Sequence, residues 1–171
     1  LTLAGGGANG YAQIGMGGNS SSGGKDASID LVAEQITLTG GDTAGASAQI
    51  GNGGFQSRGD ITGDISLEST VGSIDLQAGS GGFAGALVGH GGYGFKGNVI
   101  NQNISLTSAT DINILGSNGS QAGAMVGHAN ATGDASLSGD ISLNAQNDIN
   151  IASGTAPGSF AQAGHGGSRG K

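Results

Sequence analysis

The segments "AQIGMGG" at 12–18, "AQIGNGG" at 48–54, "ALVGHGG" at 86–92, "AMVGHAN" at 124–130 and "AQAGHGG" at 161–167 are near-copies of one another. Aligned on Gly15, Gly51, Gly89, Gly127 and Gly164, they recur in steps of 36, 38, 38 and 37 residues. So even a period is the signature of a solenoid, in which each unit buries its apolar face only against its neighbours. One glycine-rich loop with a histidine in it would read as a phosphate cradle. Five of them read as architecture.

Within each unit the same parts follow in order. An Ile-x-Leu pair comes first, as Ile29/Leu31, Ile65/Leu67, Ile104/Leu106 and Ile141/Leu143. A second apolar pair follows as Ile36/Leu38, Ile74/Leu76, Ile112/Ile114 and Ile149/Ile151, with Leu1/Leu3 as an earlier copy. Ser, Thr, Asp or Asn stands between the apolar residues, so one face of each short strand points inward and the other into water. The third part is alanine-rich and alternates through Ala44, Ala46, Ala48 and Ile50, then Ala84, Ala86 and Val88, then Ala122, Ala124 and Val126. Small inward residues there predict two walls in close approach. A weaker fourth element, "GDITG" at 59–63 or "GDASLSG" at 133–139, leads to the next Ile-x-Leu pair. No segment carries a helix cap with a 3.6-residue apolar period behind it. The expectation is an all-β fold, a parallel β-helix (β-solenoid) of ~37-residue repeats, with neighbouring coils about 4.8 Å apart. The uneven gaps between elements favour one broad coil per repeat over two half-length coils. The whole chain, 1–171, is expected to be a single solenoid segment of about four and a half repeats, excised from a longer array.

Composition narrows the function classes. The chain holds 39 Gly, 1 Pro, no Trp and no Cys, with a net charge of −7. Without cysteine there is neither a disulfide framework nor a thiolate metal site. The cations Lys25, Arg58, Lys96, Arg169 and Lys171 are scattered and form no basic stripe, which argues against nucleic acid as a partner. No apolar run approaches the ~18 residues of a membrane span, so this segment is not expected to insert in a membrane.

His90, His128 and His165 share one repeat position with Met16 and Asn52, and in a solenoid they form a ladder. Stacked imidazoles could collect a transition metal. Two copies lack the ligand and no carboxylate recurs beside it, so the favoured reading is a turn ladder with exposed rings and no metal. "RGD" at 58–60 aligns with "KGN" at 96–98 and "TGD" at 132–134, which makes Gly-Asp part of the repeat and Arg58 an accident of sequence. Asp60 with Asp64, or Asp134 with Asp140, could serve as an acid/base pair. Their repeated placement beside glycine reads instead as turn chemistry, and no enzyme activity, calcium site or other cofactor is expected. Sequons occur at Asn19, Asn103, Asn118 and Asn130. Phe55, Tyr93 and Phe95 fall in equivalent segments of adjacent repeats and are candidates for an outward patch facing a partner or glycan, with the cover of an apolar corner as the other reading.

The run "GDISLNAQNDINIASG" at 139–154 and the cadence "AQIGNGG…GDITGDISL" over 48–67 resemble the β-helical repeats of filamentous haemagglutinin-like adhesins and of large two-partner-secretion exoproteins. The resemblance covers nearly all of the chain and rests on repeat grammar. It implies an extracellular or bacterial cell-surface filament or stalk, active in adhesion or in biofilm and matrix assembly. Its partners would be a host or matrix glycan or protein receptor and further copies of the chain, joined end to end. The alternatives are an ice- or carbohydrate-surface-binding solenoid, for which no Thr-x-Thr ladder beyond Thr37/Thr39 is present, and a β-helical polysaccharide-degrading enzyme.

Overall fold

A computed structural model describes residues 1–131 and 136–167. Asp134, Arg169 and Lys171 lie outside the described residues, and nothing is known of the Asn130 side chain. The described residues form strands and turns with no helix, and every strand pairing is parallel.

The chain climbs as a stack of coils, one repeat per coil. The Ile-x-Leu strands Ile29–Ala33, Ile65–Ser69, Ile104–Ser108 and Ile141–Ala145 make a first ladder. Its register sets Ile65 on Ile104 on Ile141 and Leu67 on Leu106 on Leu143. A second ladder stacks Thr2–Ala4, Ile36–Thr39, Ile74–Gln77, Ile112–Leu115 and Ile149–Ala152. The alanine-rich strands Ala12–Ile14, Ala48–Ile50, Ala86–Val88, Gly123–Val126 and Phe160–Ala163 make the third. These partners are 35 to 39 residues apart, which settles one broad coil per repeat. The fourth element is a narrower return: Lys25–Asp26 pairs Ile61–Thr62, and bridges continue the column through Val99 to Leu137.

Alternation places Ile36, Leu38, Ile74, Leu76, Ala86 and Val88 on the inner faces with no exposure to solvent. Burying such side chains contributes roughly 1.5–3 kcal/mol each for the branched aliphatics. Small alanines at 46, 48, 84, 86, 122 and 124 are buried on the third face, as the sequence predicts. Ala44 departs from that pattern: it lies exposed in the turn before the strand, where alternation has not yet begun. Beside the main core, Ile61, Phe95 and Val99 form a satellite cluster under the return segment, with Leu137 against it.

Turns are tied by side-chain acceptors. Asp60 Oδ1 accepts from the backbone N–H of Asn98, Asp64 Oδ1 from that of Asn103, and Asn103 Oδ1 from that of Asp140. Each bond joins one coil to the next. Of the carboxylates weighed as acid/base pairs, Asp60 and Asp64 are therefore engaged as corner ties, and Asp140 enters the same kind of tie through its backbone N–H.

Candidate functional site

The third ladder carries both features of interest, one on each side of the wall. On the inner side, the strand ends at Ile50, Val88 or Val126, and a glycine with φ near +150° turns the chain: Gly51, Gly89 and Gly127. A methyl group on Gly89 would overlap the carbonyl oxygen of Gly127, and Gly51 meets Gly89 in the same way. Only glycine allows coils to stack through this arch.

The next residue turns inward. Asn52, His90 and His128 have no solvent exposure, which corrects the expectation of exposed rings. The reason lies in the backbone. Gly51 and Gly53 donate to the preceding coil, at the carbonyls of Ile14 and Met16, while the N–H of Asn52 faces the following coil. There His90 Nδ1 accepts it at 3.0 Å. The pattern repeats: His128 Nδ1 accepts from His90 N–H at 3.3 Å, His165 Nδ1 from His128 N–H at 3.1 Å, and Asn52 Oδ1 from Met16 N–H at 2.8 Å. Across the coil, His90 Nε2 meets the Gly63 carbonyl at 2.6 Å, His128 Nε2 that of Gln102 at 2.8 Å, and His165 Nε2 that of Gly139 at 3.0 Å. Asn52 Nδ2 donates to the Ala27 carbonyl at 2.7 Å, in the same role.

These partners fix the chemistry of the ring. Nδ1 must be the bare acceptor and Nε2 the protonated donor, so each imidazole is held as one neutral tautomer. Rings of successive coils stack with centroids 5.1 and 4.6 Å apart. Burial pushes His90 below the ordinary imidazole value and His128 down to about 4, with the two flanking rings adding to the His128 shift and the Gln102 carbonyl and Asp64 opposing it. Both nitrogens of each ring are occupied by backbone groups. Among the described residues, no group of three or more His, Asp or Glu stands close enough to share a metal ion.

On the outer side of the wall lies a trough of about 100 Å³, continued by a smaller hollow of about 20 Å³ between Tyr11 and Phe55. Phe55 and Tyr93 stack with centroids 5.5 Å apart, and Phe83 meets Tyr93 edge-on at 4.9 Å. Phe95, expected in the same patch, is fully buried in the satellite core. The bridge between Arg58 and Lys96 sets Phe95 over Ser57, at an inward position of the return segment. The outward patch thus keeps Phe55 and Tyr93 and gains three aromatics that sequence reasoning missed: Phe83, Tyr11 and Phe160. Tyr11 and Phe160 precede the third-ladder alanine in the two end coils, where Ser47, Gly85 and Gly123 stand between them.

The outward residue of the third ladder also changes along the stack. Gln13 donates from Nε2 to the carbonyls of Gly51 and Gly53, and Gln49 to those of Gly89 and Gly91. In the next two coils the position is Leu87 and Met125, so the trough becomes apolar where Tyr93 borders it.

Fold and site together define a parallel β-solenoid with a buried polar column and one apolar outer trough. No family model, curated protein or solved structure matches the chain.

Proposed function

We propose that the chain is a structural, extracellular β-solenoid segment of a large bacterial surface adhesin, a stalk or filament that acts in adhesion or in biofilm and matrix assembly. The observation that supports it is the unbroken register of the Ile and Leu ladders from coil to coil among the described residues. Backbone hydrogen bonds run along the stack, so tension on the rod is borne by many bonds of similar strength. In this reading the chain turns over no substrate.

In this reading copies of the chain also associate end to end, since an open coil edge with apolar strand residues and unpaired strand groups is a surface that another coil of the same grammar covers. The outer face of the second ladder presents Thr37, Asp75, Asn113 and Asn150 in line, bonded along the last three through side-chain amides. Such a mixed row offers no regular threonine lattice for ice.

The reading is tested by antibodies raised against residues 1–171. They are expected to label filaments on intact source cells, and the purified segment is expected to form rods of single-solenoid width whose length grows with concentration in electron micrographs. Labelling only after lysis would contradict surface display, and a compact monomer at every concentration would contradict self-association.

A further inference from the structure

We propose that the arch after the third ladder is an acid-operated joint: on taking up protons, the His90 and His128 rings leave their column and the arch loosens between coils while the Ile/Leu ladders hold. Three arch contacts in a row end on a ring nitrogen. The N–H groups of Asn52, His90 and His128 donate to Nδ1 of His90, His128 and His165. A proton on Nδ1 turns each acceptor into a donor that faces another donor, and Nε2 is already committed to a carbonyl across the coil. A charged ring in the closed arch therefore strands the N–H it faces. With ring centroids 5.1 and 4.6 Å apart, charged neighbours also repel each other. The joint before these three differs: Met16 N–H donates to Asn52 Oδ1, which belongs to an amide that takes up no proton in this range.

The way out is short and hinged. His90 lies between Gly89 and Gly91 and His165 between Gly164 and Gly166, all four with positive φ. Glycine on both sides lets the residue between them swing at small steric cost. Each ring's Nε2 already meets the corner before the first ladder, at Gly63, Gln102 or Gly139, and the exposed Asp64, Asn103 and Asp140 follow directly. Asp64 favours the charged form of both His90 and His128, but burial outweighs it while the arch is closed. Once a ring swings past the corner that penalty is gone. The other elements around the column give little to a charge. The third ladder ends at the apolar Val88 and Val126, and on the return side Ile61 and Phe95 pack against Gly53 and Gly91. Lys25 packs against Gly17 at the foot of that side, with its Nζ held by the Gly23 and Arg58 carbonyls. The inner faces of the first two ladders, with Ile65, Leu67, Ile74 and Leu76, hold no proton acceptor of this kind, so the joint opens ahead of the stack.

The test is amide hydrogen exchange of the 171-residue chain, followed by NMR as the pH is lowered from 7 to 4 and corrected for the intrinsic rate. The Asn52, His90 and His128 amides are expected to exchange about tenfold faster for each unit of pH below 6.5, one proton per opening. The Ile65 and Ile74 amides, bonded to the Asn103 and Asp111 carbonyls, are expected to remain the slower set at every pH. Small additions of urea speed that slower set alone, because a local opening exposes little surface. In the double variant His90→Asn, His128→Asn, which copies Asn52, the acid response is expected to vanish at the Asn52 and His90 amides and to persist at the His128 amide, which still faces His165. The single variant His90→Asn serves if the double one fails to fold, and it removes the response at Asn52 alone. The proposal is overturned if the arch amides of the parent show no acid response, if the response survives at Asn52 in these variants, or if arch and ladder amides exchange as one set.

Discussion

In the first ladder Ile65, Ile104 and Ile141 lie on one another, and Leu67, Leu106 and Leu143 beside them, with no change of residue. In the arch after the third ladder the glycine is constant while the inward residue runs from Met16 to Asn52 to three histidines. The two columns are held to different standards. An Ile/Leu ladder is selected on shape, since each side chain fills the space between its copies above and below. The arch is selected on hydrogen-bond pattern: an acceptor for an N–H of the preceding coil, with a donor beside it for a carbonyl across the coil. Asn and neutral His both present that pair, which is why they interchange here and why Leu does not enter. Met16, in the first described coil, has no preceding N–H among the described residues to accept and is 45% exposed.

The contrast can be broken most forcefully at its constant element. Gly89→Ala puts a methyl group into the Gly127 carbonyl and forces a left-handed φ on a branched carbon. A loss of roughly 4 kcal/mol or more is expected, read as a collapsed denaturant midpoint or no cooperative transition at all. A smaller effect sharpens the hydrogen-bond account. His128→Ala strands the His90 N–H and the Gln102 carbonyl, at about 1–3 kcal/mol for each buried group. His128→Asn, which copies Asn52, is expected to recover a good part of that loss although it removes the ring and both ring stacks. Equal losses for the two variants would make packing, not bonding, the function of the column.

The difference also explains what could be read from the chain. Period-two alternation holds inside strands, so the Ile/Leu faces, the parallel stack and the one-coil period were all legible. Alternation itself carries the inward side from Ile50 to Asn52 and from Val88 to His90; the exposed reading of the histidines comes from taking the residue after a strand-ending glycine as part of a solvated turn. Phe95 reads as outward beside Tyr93, two residues before it, but the positive-φ Gly94 between them turns the chain, and Phe95 fills the column of buried Ser57. A signal for the histidines was present: Asn in the same column marks a position that needs an acceptor next to a donor. The trough was half legible, through Phe55 and Tyr93. Phe160 and Tyr11 belong to it only because register carries two end-coil residues over a strip of Ser and Gly.

The buried neutral column is the account's central claim, and the most direct measurement is an NMR pH titration of the imidazole nitrogens in the ¹⁵N-labelled chain. The linkage has a definite sign. The unfolded chain takes up protons near 6.5, but folded His128 does so only near 4, so stability is full at pH 7 and falls as acid is added through that interval. Over the whole interval this amounts to about 3 kcal/mol from His128 alone. The account predicts that His90 and His128 show the Nε2–H tautomer at pH 6, with a hydrogen-bonded, slowly exchanging Nε2 proton, and that His128 stays neutral until close to pH 4 or until the fold opens. Rings that titrate near 6.5 with fast-exchanging protons in the folded chain would contradict it and return the histidines to the surface.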